Sequence, residues 1–364
     1  MNMRKVFGNL AIGPLEEVAP PPLYLRDLLE RSALHLLSSE LIIEDNHRPF
    51  DLPTREIPSS KIVDDRARRL IDPIVASIGE DGFAPHFHRL IRAFAAANFD
   101  GDTDQVQGTS LSEWIAAPQP YCFLMTDKGG PNIANWRSYC FNEEGREYLK
   151  VDKVWAINGA NFGMAAVAAR SNQSAFPVPV TFFLPPAQCQ QLKKVPAGRP
   201  FLDGTVQLGN VSGIVEISAA NHVNGGYASD AERALDTARV NFIRALMQHV
   251  MWLATRERAT LDERRVTAIR YIYDVATEIS SEKSYTNLTT LRVKALKFAC
   301  NQLLAELVAE ERVIMMSDQR DLLGFSKMEG SSYFCLMRLY GHFHRRNRVD
   351  SLKSSQRSEI GNAA

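Results

Sequence analysis

The 364-residue chain balances 42 basic against 42 acidic residues at 45% hydrophobic content, enough apolar material for a sizeable core spread over two or three structural units. Charge neutrality gives no reason to expect nucleic acid or an anionic membrane as a partner, and no run approaches the roughly 18 apolar residues of a membrane span. The five cysteines are scattered, odd in number and never spaced C-x-x-C, which argues against a disulfide framework or a zinc site and fits a reducing cytoplasm; the mixed N-terminal stretch also lacks the apolar segment of a signal peptide.

From about Pro22 to Phe99 the pattern is helical. "LYLRDLLERSALHLLSSELI" and "HFHRLIRAFAAANF" repeat apolar residues every three to four positions, with Pro-rich joints at Pro20 to Pro22 and Pro49 to Pro58. This predicts an N-terminal helical domain over 1–118. After Pro118 and Pro120 the texture changes to short strand-like runs, "YCFLMT", "EYLKVDKVWAI", "MAAVAAR", "VPVTFFL" and "GTVQLGNVSGIVEI", separated by Gly, Pro and Asn turns. They predict a small β-barrel or sandwich domain over 119–222. Helical periodicity resumes over Ala231 to Arg258, Asp262 to Glu282 and Thr286 to Glu311, with Ser229 or Asp230 as the cap of the first helix. A helical bundle over 223–345 and a polar, disordered tail over 346–364 complete an α+β multidomain chain.

Four segments carry residue types suited to chemistry. In "YCFLMTDKGGPN", Thr126, Asp127, Gly129 and Asn132 form a loop in which Gly lets backbone amides approach a carbonyl edge and the Thr hydroxyl can bond a planar heterocycle; a plain Gly-Gly-Pro turn is the competing explanation. "YLKVDKVWAINGA" places Trp155, Ile157 and Asn158 at the end of a strand, where a Trp is either core or a stacking face. Arg233 and Arg258 stand near the two ends of the first bundle helix; a guanidinium suits phosphate, and solvated helix arginines are the alternative. In "RDLLGFSKMEGSS", Glu329 lies between largely apolar stretches with Gly330 and Ser331 after it, either a solvated turn acid or a base tuned by an apolar pocket. The pairs His86-x-His88 and His342-x-His344 would point to different sides of a helix, so no metal is expected, and there is no G-x-S-x-G, P-loop or dinucleotide-binding glycine motif.

Taken in this order, the segments resemble the acyl-CoA dehydrogenase family over roughly residues 22–345. The resemblance implies a helical domain, a small β-domain and a C-terminal four-helix bundle. It also implies FAD as cofactor. Thr126, Asp127, Gly129 and Asn132 match the family's flavin loop, Trp155, Ile157 and Asn158 its Trp-Ile-Thr-Asn strand, Arg258 its pyrophosphate arginine, and Gly330 and Ser331 its Gly-Thr pair. Arg233 corresponds to a substrate-binding position and Glu329 to the base that removes the α-proton of an acyl thioester, carried by CoA or by an acyl carrier protein. An electron-transfer partner or oxygen would reoxidise the flavin, and a homodimer or homotetramer is the expected assembly. The chain departs from the family at Ile157, which replaces a Thr, at Leu261 and Asp262, which replace Phe-Gly, and before Arg320, where a Gly-Gly-x-Gly stretch is missing. These departures keep two alternatives open: a flavin-dependent monooxygenase on the same fold, and a degenerate, non-catalytic subunit that pairs with an active homologue.

Overall fold

The computed structural model describes residues 65–98, 117–130, 133–171, 178–223, 228–282 and 285–326, with isolated positions among 105–113 and 328–339. The helix expected near Leu25 to Ile42 and the polar tail lie outside the described residues. Helix α1 (Asp65–Asp81) buries Ile71, Ile74, Val75 and Ile78, the three-to-four spacing of a helix that turns one face to a core. It stops at Gly82, whose φ of 84° only a glycine adopts freely and whose N–H returns to the Ile78 carbonyl at 2.9 Å. A single 3₁₀ turn then leads into α2 (Phe87–Asn98).

After a short ribbon of β1 (Gln105–Val106) and β2 (Thr109–Ser110), seven strands form one mixed sheet: β3 (Tyr121–Leu124), β4 (Tyr139–Glu143), β5 (Arg146–Ala156), β6 (Met164–Ser171), β7 (Pro179–Leu184), β8 (Lys193–Pro196) and β9 (Gly209–Ile217). The order is β3-β6-β4-β5-β9-β8, with β7 also paired to β6. Strands β3 and β4 run parallel to β6, and the other pairings are antiparallel. The helix α3 (Pro186–Cys189) links β7 to β8. Five of these strands coincide with the runs read from composition. Strands β4 and β8 were not expected. Strand β4 joins β5 through Glu144 and Gly145, both at positive φ, which is the two-residue hairpin that an E-G pair between strand-like segments permits. Strand β8 is four residues of "KKVP", too short and too polar for a pattern to register.

The chain then enters α4 (Ala228–Thr255), α5 (Glu263–Ser280), α6 (Asn287–Ala309) and α7 (Met316–Phe325). The Asp262 carboxylate accepts the Arg265 N–H at 2.9 Å, and Thr286 and Thr289 form a reciprocal capping box, so α5 and α6 start where the side chains can take orphan N–H groups. Ser229 and Asp230 fall just inside α4 rather than at its cap.

One aromatic cluster joins the layers. Phe83, ahead of α2, lies 5.3 Å from Phe242 of α4 and 5.2 Å from Phe325 of α7, and Phe325 lies 5.8 Å from Phe201, which follows β8. Offset and edge-on rings at such distances favour one relative placement of helices and sheet. That placement fixes the C-terminus of α7, four residues before Glu329.

Candidate functional site

Thr126 and its neighbours leave β3 and lie against β5. Val154 donates to the Thr126 carbonyl at 3.0 Å and Lys128 to the Asp152 carbonyl at 3.1 Å, so the loop Thr126 to Gly129 and the end of β5 with Trp155 are brought side by side. The Thr126 side chain is exposed. Gly129 is obligatory, because a Cβ there would stand 1.8 Å from the Asn135 carbonyl oxygen.

Asp127 faces the other way. Its Oδ1 accepts the Gly129 N–H at 2.8 Å and the Arg137 N–H at 2.7 Å, and its Oδ2 accepts the Ser138 N–H at 3.0 Å and the Lys153 ammonium at 3.2 Å. Both side chains are wholly buried. Lys153 also donates to the Met125 carbonyl at 3.2 Å and lies 4.6 Å from the Trp136 ring centre. Burial works against the Asp127 charge, yet these N–H donors and the ammonium together hold its carboxyl below the ordinary range; burial pushes Lys153 down to about 8 in spite of Asp127. The pair is an internal clasp that fixes the loop on β5, and sequence reading assigned Asp127 to the ligand instead. Nothing local signals that an acid at 127 and a lysine at 153 will meet.

Trp155 is the one exposed large apolar side chain of this strand. It is 60% exposed and has a φ of 54°, an outlier for a bulky residue, and it sits where the β5–β9 register breaks between Lys153 and Ala156. The Asn210 Oδ1 accepts the Trp155 N–H at 3.1 Å and so holds the bulge from β9. The result is an indole presented to solvent one residue after Val154, whose N–H bonds the carbonyl of the exposed Thr126. Ile157 is half-buried against the main core, and Asn158 turns inward, donating to the Tyr121 carbonyl at 2.9 Å and lying 3.4 Å from His88 Nδ1. The loop carrying Thr126 and Gly129 therefore adjoins the strand end carrying Trp155, while Asn158 ties β3 to α2.

Arg258 ends up behind α4. Its Nε donates to Asp318 at 2.9 Å and its Nη2 to the same carboxylate at 2.5 Å, with its guanidinium 5.4 Å from the Trp252 ring. Burial raises the Asp318 pKa and Arg258 opposes it. Arg258 thus joins the end of α4 to α7. Asp321, on the next turn of α7, accepts the Leu202 N–H at 2.8 Å, where Leu202 and Asp203 both have a φ of 52°. Arg233 is half-buried on α4. Asn132, Glu329, Gly330 and Ser331 lie outside the described residues, as do His342 and His344. Among the described residues no helix is long and apolar enough to cross a membrane.

By sequence, no protein-family model and no curated protein matches the chain. By structure it is similar to an acyl-CoA dehydrogenase from Slackia heliotrinireducens, with a TM-score of 0.58 and 11% identity over 90% of this chain and 96% of that one. A glutaryl-CoA dehydrogenase from Mycobacterium smegmatis in complex with FADH2 matches with a TM-score of 0.53 and 13% identity, over 78% of this chain and 95% of that one. The prolyl acyl carrier protein oxidase AnaB matches with a TM-score of 0.53 and 12% identity, over 88% of this chain and 98% of that one. At such identities the likeness is one of fold.

Proposed function

From the acyl-CoA dehydrogenase fold that these structures share with this chain, we propose that the protein is an FAD-dependent oxidoreductase that introduces an α,β double bond into an acyl thioester. The observation that carries the reading is Trp155: an exposed indole, held in a left-handed backbone at a bulge and set beside Thr126. Backbone strain of this kind persists where its surroundings enforce it, and it clusters at binding sites. A flat aromatic face beside an exposed hydroxyl and a Gly-rich backbone suits the flavin ring system.

The residues present fit the ring end of FAD. Trp155 would stack on the ring, and Thr126, with the backbone around Gly129, would bond its polar edge. Asp127 contributes by holding that loop on β5. Asn132, Ile157, Gly330 and Ser331 complete the proposed cofactor shell by their match to the family motif, Asn158 supports it from the buried side through the Tyr121 carbonyl, and Arg258 is the proposed pyrophosphate contact. FAD, when bound, supplies the acceptor for the hydride leaving the β-carbon. Glu329 takes the α-proton; a carboxylate in an apolar setting becomes a stronger base because desolvation disfavours its charged form. Arg233, near the start of α4, is proposed to face the substrate. The thioester carrier is CoA or an acyl carrier protein, and an electron-transfer partner or oxygen accepts the electrons.

A second reading, a non-catalytic subunit, draws support from Arg258, whose guanidinium already grips Asp318 on two atoms. The absorption spectrum of the purified protein separates the two. Flavin bands at near one equivalent are expected; a colourless protein that ignores added FAD would sink the flavoenzyme reading.

A further inference from the structure

The bulge that carries Trp155 sets two residues of β5 against one of β9. Lys153 pairs with Val211 and Ala156 with Gly209, so Val154 and Trp155 both oppose Asn210. Their N–H groups leave the ladder in different directions. Val154 donates to the Thr126 carbonyl at 3.0 Å, and Trp155 to the Asn210 Oδ1 at 3.1 Å. Asn210 is itself fixed from the far side, because its backbone pairs with Val195 of β8. It is exposed, as is the bond that it makes.

The indole leans the same way. A Cβ at Gly198, just beyond β8, would stand 3.9 Å from Trp155 Cζ3, so the rim of the ring lies over the turn that follows β8. That turn is tied down by Gln207, whose amide donates to the Gly198 carbonyl at 3.2 Å and to the Leu208 carbonyl at 3.1 Å. On the loop side, Asp127 forms a bridge with Lys153, and Lys128 donates to the Asp152 carbonyl at 3.1 Å. Thr126 to Lys128 thus run alongside Asp152 to Val154. At the next residue, Trp155, the hold on β5 passes from the loop to Asn210.

We infer that Asn210 is a positioning residue for the flavin, acting through Trp155: its side-chain oxygen sets the plane of the indole relative to the Thr126 loop. This rests on the flavin-dependent reading, in which one ring system must meet the indole face and the loop together. A site built from two elements holds its ligand well only when supporting hydrogen bonds fix the orientation of its side chains. A left-handed backbone is costly for a Trp, and an acceptor on β9 at that point helps to retain it. Because water can replace an exposed acceptor, the bond adds little to global stability, and its loss shows in where the indole points.

The test compares the full-length wild type with Asn210→Ala, Asn210→Asp, Trp155→Gly and the double variant Asn210→Ala with Trp155→Gly. Flavin titrations give the FAD affinity and thermal unfolding gives Tm. The anisotropy of Trp155 emission in flavin-free protein, taken as the difference from a matched Trp155→Phe protein, reports how firmly the indole is held. Asn210→Ala should weaken FAD binding about fivefold, the size of one hydrogen bond, at almost unchanged Tm, and should lower the anisotropy. Asn210→Asp keeps the acceptor oxygen and should hold both near their wild-type values. In the Trp155→Gly background Asn210→Ala should change nothing further, since the effects of residues that act as a unit do not add. Unchanged FAD affinity in Asn210→Ala, or an equal loss in Asn210→Asp or in the Trp155→Gly background, overturns the inference. A wild type that takes up no FAD counts against the flavin-dependent reading instead, and the anisotropy of Asn210→Ala then decides the hold on the indole: a lowered value upholds it and an unchanged value overturns it.

Discussion

A tryptophan held at a φ of 54° carries on the order of 1–3 kcal/mol of backbone strain, and here nothing in the packing repays it, since the indole is 60% exposed. Trp155→Gly removes the strain, so the flavin-free protein should be more stable by about 1 kcal/mol in urea unfolding, while FAD affinity falls by about tenfold for loss of an aromatic stack. Unchanged affinity in a flavin titration would show that the indole serves another purpose. Asn158 teaches the opposite lesson at the same scale. Its motif position marks it as a cofactor contact, yet its amide is consumed by the Tyr121 carbonyl and His88.

Loops and helices are held by buried acids that each collect several donors. The Asp127–Lys153 clasp joins the loop after β3 to β5, and removing the lysine leaves a buried carboxylate with only its backbone N–H groups. Lys153→Met should therefore cost about 3 kcal/mol of stability, the low end for a broken buried pair, and weaken FAD binding through misplacement of Thr126; Lys153→Met with Asp127→Leu should recover much of the stability but not the affinity. Urea curves of both variants alongside flavin titrations check this. Element types were legible in the sequence where periodicity ran long, as in α4, α5 and α6, or where β-branched and aromatic residues clustered, as in β5 and β9. The short β8 and α7 were not, because four and ten residues of mixed polarity carry no pattern. Among the site residues, Thr126 and Trp155 were legible singly, as a loop hydroxyl and a strand-end indole, while the partners of Asp127 and Arg258 were not: Lys153 and Asp318 lie 26 and 60 residues away, and only the fold brings them together.

Across the whole molecule, α4 threads the core and places His249 against the layer below it. The Phe83 N–H donates to His249 Nδ1 at 3.3 Å, the imidazole stacks on Trp252 at 5.5 Å, and burial, helped by Arg258, pushes its pKa down to about 3. The folded protein keeps His249 neutral, whereas the unfolded chain takes up a proton below about 6.5, so stability falls as pH drops from there toward 3, by about 1.4 kcal/mol per unit. His249→Gln retains an acceptor for Phe83 and cannot titrate, so its unfolding free energy should decline less steeply between pH 6 and 4; equal slopes in urea titrations would contradict the assignment. The proposed reaction needs flavin on one side of a thioester and Glu329 on the other. The direct measurement is anaerobic bleaching of the flavin bands by an acyl thioester in Glu329→Gln and in the wild type. Bleaching is expected in the wild type and none in the variant, with the flavin bands themselves intact in both. Bleaching at the same rate in the two proteins would mean that another residue is the base.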